Sequence, residues 1–257
     1  MSDDRYSRQS LFAPIGQAGQ QRIRASQVVL LGCGALGSTL ANALVRAGVG
    51  RLTIIDADRL ELSNLQRQTL FDEAQAAARA PKAEAARDRL RQINAQVEIV
   101  ARVERAGPDN IARLVGRPDV VLDATDNFAT RYLLNDLCVR DGLPWIYGGC
   151  AAAYGVCMPI LPHETPCLRC LFPTPPPPEH APTADTVGIL GPIAHAVASL
   201  QAAEALKLLS GNRQAVRPVL YTLDLWEGHL ASVRLPGPEP DCPCCGAGRY
   251  DHLGGCA

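Results

Sequence analysis

Residues 28–56 read VVLLGCGALGSTLANALVRAGVGRLTIID, and the order of apolar runs and glycines in this stretch decides the fold. The run 28–31 stops at Gly32, residues 35–47 have helical composition ending at Gly48, and a second apolar run, 52–55, ends at Asp56. Strand, tight turn, helix and strand make a βαβ unit, whose crossover is right-handed. Within it, Gly32-Cys33-Gly34-Ala35-Leu36-Gly37 fits GxGxxG, following a strand and opening a helix whose N-terminal amides can meet phosphate oxygens. Asp56, 19 residues beyond Gly37, stands where it can accept hydrogen bonds from a ribose. Glycines in such a pattern can also serve a tight turn alone, but the strand-helix setting and the acid together predict an adenosine-type nucleotide site. The motif does not distinguish NAD from ATP.

The alternation continues outward. Residues 72–94, rich in Ala, Arg, Lys, Glu and Gln, read as a helix, and the β-branched run 97–103 as a strand. A buried-strand pattern at 118–123 leads into a helix over 127–140, with Asp126 or Asn127 as its cap. Runs 145–150, 155–161, 219–223 and 230–235 read as strands, and 192–210 as a long helix closed by Gly211. The expected fold is α/β, a Rossmann-like doubly wound, mostly parallel sheet with helices on both faces and a C-terminal antiparallel extension. One domain over 1–257 accommodates this, with a nucleotide-binding core at about 26–161, a loop at 162–191, a closing helix and strands at 192–246 and a tail at 247–257. The loop holds the proline run 173–178 and few helix formers, so it should be extended and mobile.

Composition narrows the function classes. At 257 residues, 47% apolar and 20% charged with a formal net charge of -1, the chain gives no electrostatic reason to expect nucleic acid or an anionic membrane. The polar N-terminus has no signal-type apolar core and no window approaches the roughly 18 apolar residues of a membrane span, so a cytoplasmic location is expected. Four of the ten cysteines form CxxC pairs, which points to metal rather than a disulfide framework.

Downstream of Asp56 the sequence offers Asp58, Glu61, Asn64 and Arg67 at a strand end, where open α/β sheets bind ligands. A nicotinamide needs no such cluster. Attack of a carboxylate on an α-phosphate does, because charge builds on phosphorus and on departing pyrophosphate and must be met by Arg, Lys and Mg²⁺. Lys82, after Pro81, could add positive charge, and Asp126 could hold the metal. Residues Arg5-Tyr-Ser-Arg8-Gln9, the glycine loop, Asp56-x-Asp58, Ser63-Asn64-Leu-Gln-Arg67-Gln68, Pro81-Lys82, Asp123-x-Thr-Asp126-Asn127, Cys167-x-x-Cys170, Glu204-Ala-x-Lys207 and Cys242-x-x-Cys245-Gly246 resemble the ThiF/MoeB family, bacterial relatives of ubiquitin-activating enzymes. The resemblance runs in order from about residue 5 to 246.

That resemblance implies adenylation, by MgATP, of the C-terminal glycine of a ubiquitin-like sulfur carrier, ThiS-like or MoaD-like, with release of pyrophosphate. It implies ribose binding by Asp56, triphosphate binding by Asn64, Arg67 and Lys82, Mg²⁺ at Asp126, and a homodimer in which Arg8 reaches into the neighbouring site. Arg5-Tyr-Ser-Arg8-Gln9, Ala129-Thr130-Arg131, residues 208–211 and Cys242-Pro-x-Cys245-Gly246 look closer to ThiF than to MoeB. An NAD-dependent dehydrogenase and an idle carrier-binding scaffold are the rival readings. The first leaves Asn64, Arg67, Lys82 and Asp126 without purpose, and the second leaves the whole triphosphate constellation so.

Cys167, Cys170, Cys242 and Cys245 can grip one tetrahedral Zn²⁺ with no open position, so the metal should be structural. Cys244 could replace Cys245 by spacing alone, but x-x spacing and the family pattern favour Cys245. Where many family members carry a loop cysteine that forms a thioester or acyl disulfide, this chain has Ala184, eight residues before Pro192. No covalent step is expected there. Cys150 and Cys157 read as buried small hydrophobes rather than substitute nucleophiles. The chain has no room for a fused sulfurtransferase domain beyond residue 246, so a separate persulfide donor is expected.

Overall fold

The computed structural model describes residues 4–177 and 182–254. One eight-stranded sheet carries the chain in the order β3-β2-β1-β4-β5-β6-β7-β8. Strands β1 (Gln27–Leu31), β2 (Arg51–Ile55), β3 (Glu98–Arg102), β4 (Val120–Asp123) and β5 (Trp145–Ala151) are parallel. Strands β6 (Tyr154–Ile160), β7 (Val219–Asp224) and β8 (His229–Arg234) add antiparallel pairs at one edge. The mostly parallel sheet with an antiparallel extension is therefore as the sequence predicts.

Helices cover both faces, which is why β1 is apolar on both of its sides. Val28 and Leu30 join one core with α3 (Ala35–Ala47), α5 (Lys82–Ile93) and α10 (Gly191–Leu209). Val29 and Leu31 join a second core with α6 (Ile111–Val115) and α7 (Phe128–Asp141). Helix α3 ends because Gly48, at φ 83, takes the left-handed conformation and its N–H returns to Leu44 and Val45. Asn127, not Asp126, caps α7, accepting from the Thr130 N–H at 2.9 Å.

Two stretches depart from expectation. The helix expected over 72–94 is broken into α4 (Glu73–Ala77) and α5 by residues 78–81. Pro81 forms an antiparallel bridge with Arg59, the Leu60 N–H bonds the Ala80 carbonyl, and the Lys82 N–H bonds the Asp58 carbonyl at 2.9 Å. These tertiary bonds outweigh local propensity. The polar lead forms α1 (Ser7–Leu11) and α2 (Gly16–Ala25), and single-turn helices α8 (Leu168–Leu171) and α9 (Ala184–Val187) interrupt the loop 162–191. Residues 178–181 of that loop and 255–257 of the tail lie outside the described residues. Among those described, no helix is long and apolar enough to cross a membrane.

Candidate functional site

The connections leaving β1 and β4 turn to opposite faces, α3 to one core and α7 to the other, and ligands bind where neighbouring connections diverge in this way. A cleft of about 1400 Å³ opens there, at the carboxyl ends of β1, β2, β4 and β5. Gly32 and Gly34 line it. Gly32 has φ +92, and a Cβ there would run into the Ala124 carbonyl. Gly34 meets only the Gln68 amide, at 3.8 Å, leaving room for a ligand. Gly37 lies behind the cleft, where a Cβ would meet the Gly32 carbonyl, so it lets α3 sit close on the turn.

Asp56 is fixed by two backbone donors: the Cys33 N–H at 2.6 Å and the Asp58 N–H at 2.7 Å. Burial pushes its carboxyl above the usual range, opposed by Lys82 and by those two bonds. Lys82, 8% exposed at the start of α5, reaches Asp58 at 3.2 Å, and Asp58 also faces Arg105 at 3.4 Å. The Arg59–Pro81 bridge that breaks the expected helix is what delivers Lys82 to the cleft.

Asn64 closes a single 3-10 turn, its Oδ1 accepting from the Glu61 N–H at 3.1 Å. Arg67 follows, with Nη1 donating to the Ser63 carbonyl at 3.0 Å and its own carbonyl accepting from His195 Nε2 of α10 at 3.2 Å. Asp126, exposed three residues beyond the end of β4, supplies a carboxylate to the same cleft. An open carboxylate beside room for phosphates suits a hard divalent cation such as Mg²⁺. The structure thus brings Gly32, Gly34, Asp56, Asp58, Asn64 and Arg67 into one cleft with Lys82 and Asp126. Arg8 is not among its lining residues and is exposed on α1.

Ala184 also lines the cleft, as the first residue of α9, whose cap is the Thr183 hydroxyl accepting from the Thr186 N–H at 3.3 Å. Its methyl group offers no nucleophile. Cys150 lines the cleft too, but burial pushes its thiol up to about 11 against the nearby Arg131 and Arg67 guanidiniums. Sequence reasoning left Arg131 without a role in the chemistry. The available signal was a charged residue followed immediately by the apolar run Tyr132–Leu134 on a helix that had to be buried.

The four expected metal ligands converge beside the middle of α7, near Asn135 and Asp136. Sγ atoms of Cys167, Cys170, Cys242 and Cys245 all lie within 4.8 Å of one another. Individual separations are 3.6 Å for Cys167–Cys242, 3.8 Å for Cys167–Cys170 and 3.4 Å for Cys170–Cys245. Zn–S bonds of roughly 2.3 Å in a tetrahedron imply sulfur separations of about 3.8 Å, so the quartet fits that ion. Cys244 is outside it, buried and accepting from Asn135 Nδ2 at 3.3 Å. Arg169, between the first two ligands, ties the knuckle to Asp136 of α7 at 3.4 Å and to Asp251 of the tail at 3.0 Å.

The sequence model of the ThiF family matches residues 6–244. The chain is 43% identical over 250 residues to the sulfur carrier protein ThiS adenylyltransferase of Bacillus subtilis (strain 168), covering 97% of this chain and 73% of that one. It is 42% identical over 243 residues to the adenylyltransferase and sulfurtransferase MOCS3 of Mus musculus, covering 94% of this chain and 52%, about half, of that protein. Among solved structures, E. coli MccB with ATP superposes with a TM-score of 0.81 at 23% identity over 95% of this chain and 75% of that one, a likeness of fold.

Proposed function

The chain belongs to the ThiF family, and from that premise we propose that it adenylates the C-terminal carboxylate of a ThiS-like, ubiquitin-like sulfur carrier at the expense of ATP. The observation that carries this reading is the cleft itself, which the glycine turn, Asp56, Arg67, Lys82 and the open Asp126 carboxylate line together. Relatives named as adenylyltransferases favour nucleotidyl transfer over hydride transfer.

In this reading Asp56 holds the ribose hydroxyls and the glycine turn leaves space for phosphate. Asn64, Arg67 and Lys82 hold the triphosphate. A carrier carboxylate oxygen bonds to the α-phosphorus as the bond to the β-phosphate oxygen breaks, and the electron pair leaves with pyrophosphate. Arg67 and Lys82 meet the charge that builds during this exchange, in a partly closed cleft where such contacts are strong. Asp126 would hold Mg²⁺, which would neutralise phosphate charge. The enzyme contributes position rather than a nucleophile, since the carrier brings its own.

Three further assignments belong to the same proposal. Arg8, exposed and away from the cleft of its own chain, serves the site of a second copy, which makes the working unit a homodimer. The cysteine quartet holds a structural Zn²⁺. With Ala184 in the loop, the product is carrier-adenylate, and a separate persulfide donor completes the thiocarboxylate. A cytoplasmic setting suits nine described cysteines of which none is paired in a disulfide.

Intact-mass analysis after incubation with MgATP and a carrier ending in Gly-Gly should show the carrier-adenylate. An enzyme–carrier conjugate that survives denaturant and is cleaved by thiol would overturn the non-covalent route. A MoaD-like carrier, run in parallel, assigns the pathway by the faster rate.

A further inference from the structure

In the wall of the cleft is a buried ion pair, Asp123–Arg131, that none of these roles uses, and of the two Arg131 reaches the cleft lining. Asp123, the last residue of β4, is fully buried, and Arg131, on the first turn of α7, is 7% exposed. Burying two charges costs more than their attraction returns unless the geometry is good and the remaining polar atoms are satisfied. Here Asp123 Oδ2 and Arg131 Nε face each other at 3.6 Å, and neither makes a hydrogen bond among the described residues. The pair is a poor stabiliser in itself.

Its remaining bonds converge on Thr125. Asp123 Oδ1 accepts from the Thr125 N–H at 2.9 Å and from its hydroxyl at 2.7 Å, while Arg131 Nη2 donates to the Thr125 carbonyl at 2.8 Å. Every polar group of Thr125 is thereby held. The guanidinium carbon sits 5.0 Å from the Phe128 ring centre and 5.4 Å from that of Tyr147, which limits its movement. Thr125 joins two walls of the cleft. Asp126 follows it, and on its other side the space a Cβ would need at Gly32 is filled by the Ala124 carbonyl and the Thr125 nitrogen.

We propose that Arg131 is a positioning residue: with Asp123 it clamps Thr125, which packs against Gly32, and so fixes the place of Asp126 in the cleft wall. The inference rests on the adenylation reading only in that Asp126 is where phosphate-bound Mg²⁺ would be met. A lysine could neutralise Asp123, but a single ammonium cannot reproduce the planar fork that spans Asp123 and the Thr125 carbonyl.

The test uses full-length Arg131→Lys and Arg131→Met proteins, with three readouts: thermal stability, amide hydrogen exchange of residues 124–127 without nucleotide, and the Mg²⁺ dependence of ATP–pyrophosphate exchange. Both variants should lose amide protection at 124–127. Both should need about ten- to a hundredfold more Mg²⁺ for half-maximal rate, the range seen when a group supporting a metal ligand is removed. Carrier KM and the rate at saturating Mg²⁺ should stay near wild type, and Arg131→Lys should add little in an Asp126→Asn background. Lower melting temperature with unchanged protection and unchanged Mg²⁺ requirement would reduce Arg131 to a structural residue. A fall in kcat alone would instead make it a group acting on substrate, also against the proposal. If the wild-type protein shows no exchange at all, the adenylation reading fails, and amide protection decides the clamp by itself.

Discussion

Lys82 shows how the backbone places a single side chain. Its side chain is nine-tenths buried, with Nζ 3.2 Å from Asp58, yet it lines the cleft, so it presents a partly desolvated charge there. Replacing Lys82 with Met should leave the fold intact and lower the pyrophosphate exchange rate about a hundred- to a thousandfold, as removal of a preorganised charge-stabilising group does. Retention of wild-type exchange would remove Lys82 from the chemistry. Cys150 makes the opposite case. With its thiol held at about 11 by burial, little thiolate exists near neutrality, so iodoacetamide labelling of Cys150 should be slow at pH 7 and rise about tenfold per pH unit toward pH 9. Labelling that is fast and flat across that range would show an activated thiol in the cleft, a substitute for the loop cysteine that Ala184 replaces. That Gly32 and Asp56 meet in one cleft was legible in the sequence, because both are written into the local spacing of one βαβ unit, whereas the placement of Lys82 depends on the distant Arg59–Pro81 bridge. Arg131 was not legible either, because its meaning depends on Asp123, whose depth is settled only when β4 sits between β1 and β5.

At the scale of elements, the unit β1-α3-β2 is specified almost wholly by local signals: apolar runs, a positive φ that suits glycine at position 32, and a left-handed glycine stop. Gly32→Ala should therefore destabilise by more than about 2 kcal/mol in urea unfolding, since it combines an unfavourable φ with a collision against the Ala124 carbonyl. Asn127→Ala, which removes only the cap of α7, should cost about 1 kcal/mol. Equal effects of the two would mean that the turn is not where the constraint lies. The break between α4 and α5 was illegible for a physical reason. Residues 72–94 favour helix by composition, and Pro81 bridges Arg59 across 22 residues of chain, a contact that no local window contains. Helices α1, α8 and α9 span five, four and four residues, too short for a periodicity to appear.

At the scale of the whole molecule, α7 touches both the cleft and the cysteine quartet. Its first turn supports the cleft through Arg131, and Asn135 and Asp136 farther along hold Leu168 and Arg169 beside the cysteine quartet. Removing the metal should free the tail and the 162–171 segment together, because both halves of the quartet are needed to close it. Cys245→Ser should therefore lose the zinc measured by atomic absorption, while Cys244→Ser, whose sulfur is satisfied by Asn135, should keep it. The reverse result would reassign the ligand. Assembly has its own test. Arg8→Ala and Arg67→Ala subunits, each inactive alone, should recover about a quarter of the wild-type rate when mixed and allowed to exchange, because half the dimers are mixed and each mixed dimer holds one complete site. No recovery in verified mixed dimers would place Arg8 outside the neighbour's site.

The most direct measurement is exchange of labelled pyrophosphate into ATP by the purified protein with Mg²⁺, with and without a ubiquitin-like carrier ending in Gly-Gly. Exchange that requires the carrier and disappears in Arg67→Ala is the result expected of reversible carboxylate adenylation in this cleft. A protein that binds ATP yet exchanges no pyrophosphate with ThiS-like or MoaD-like carriers would contradict it.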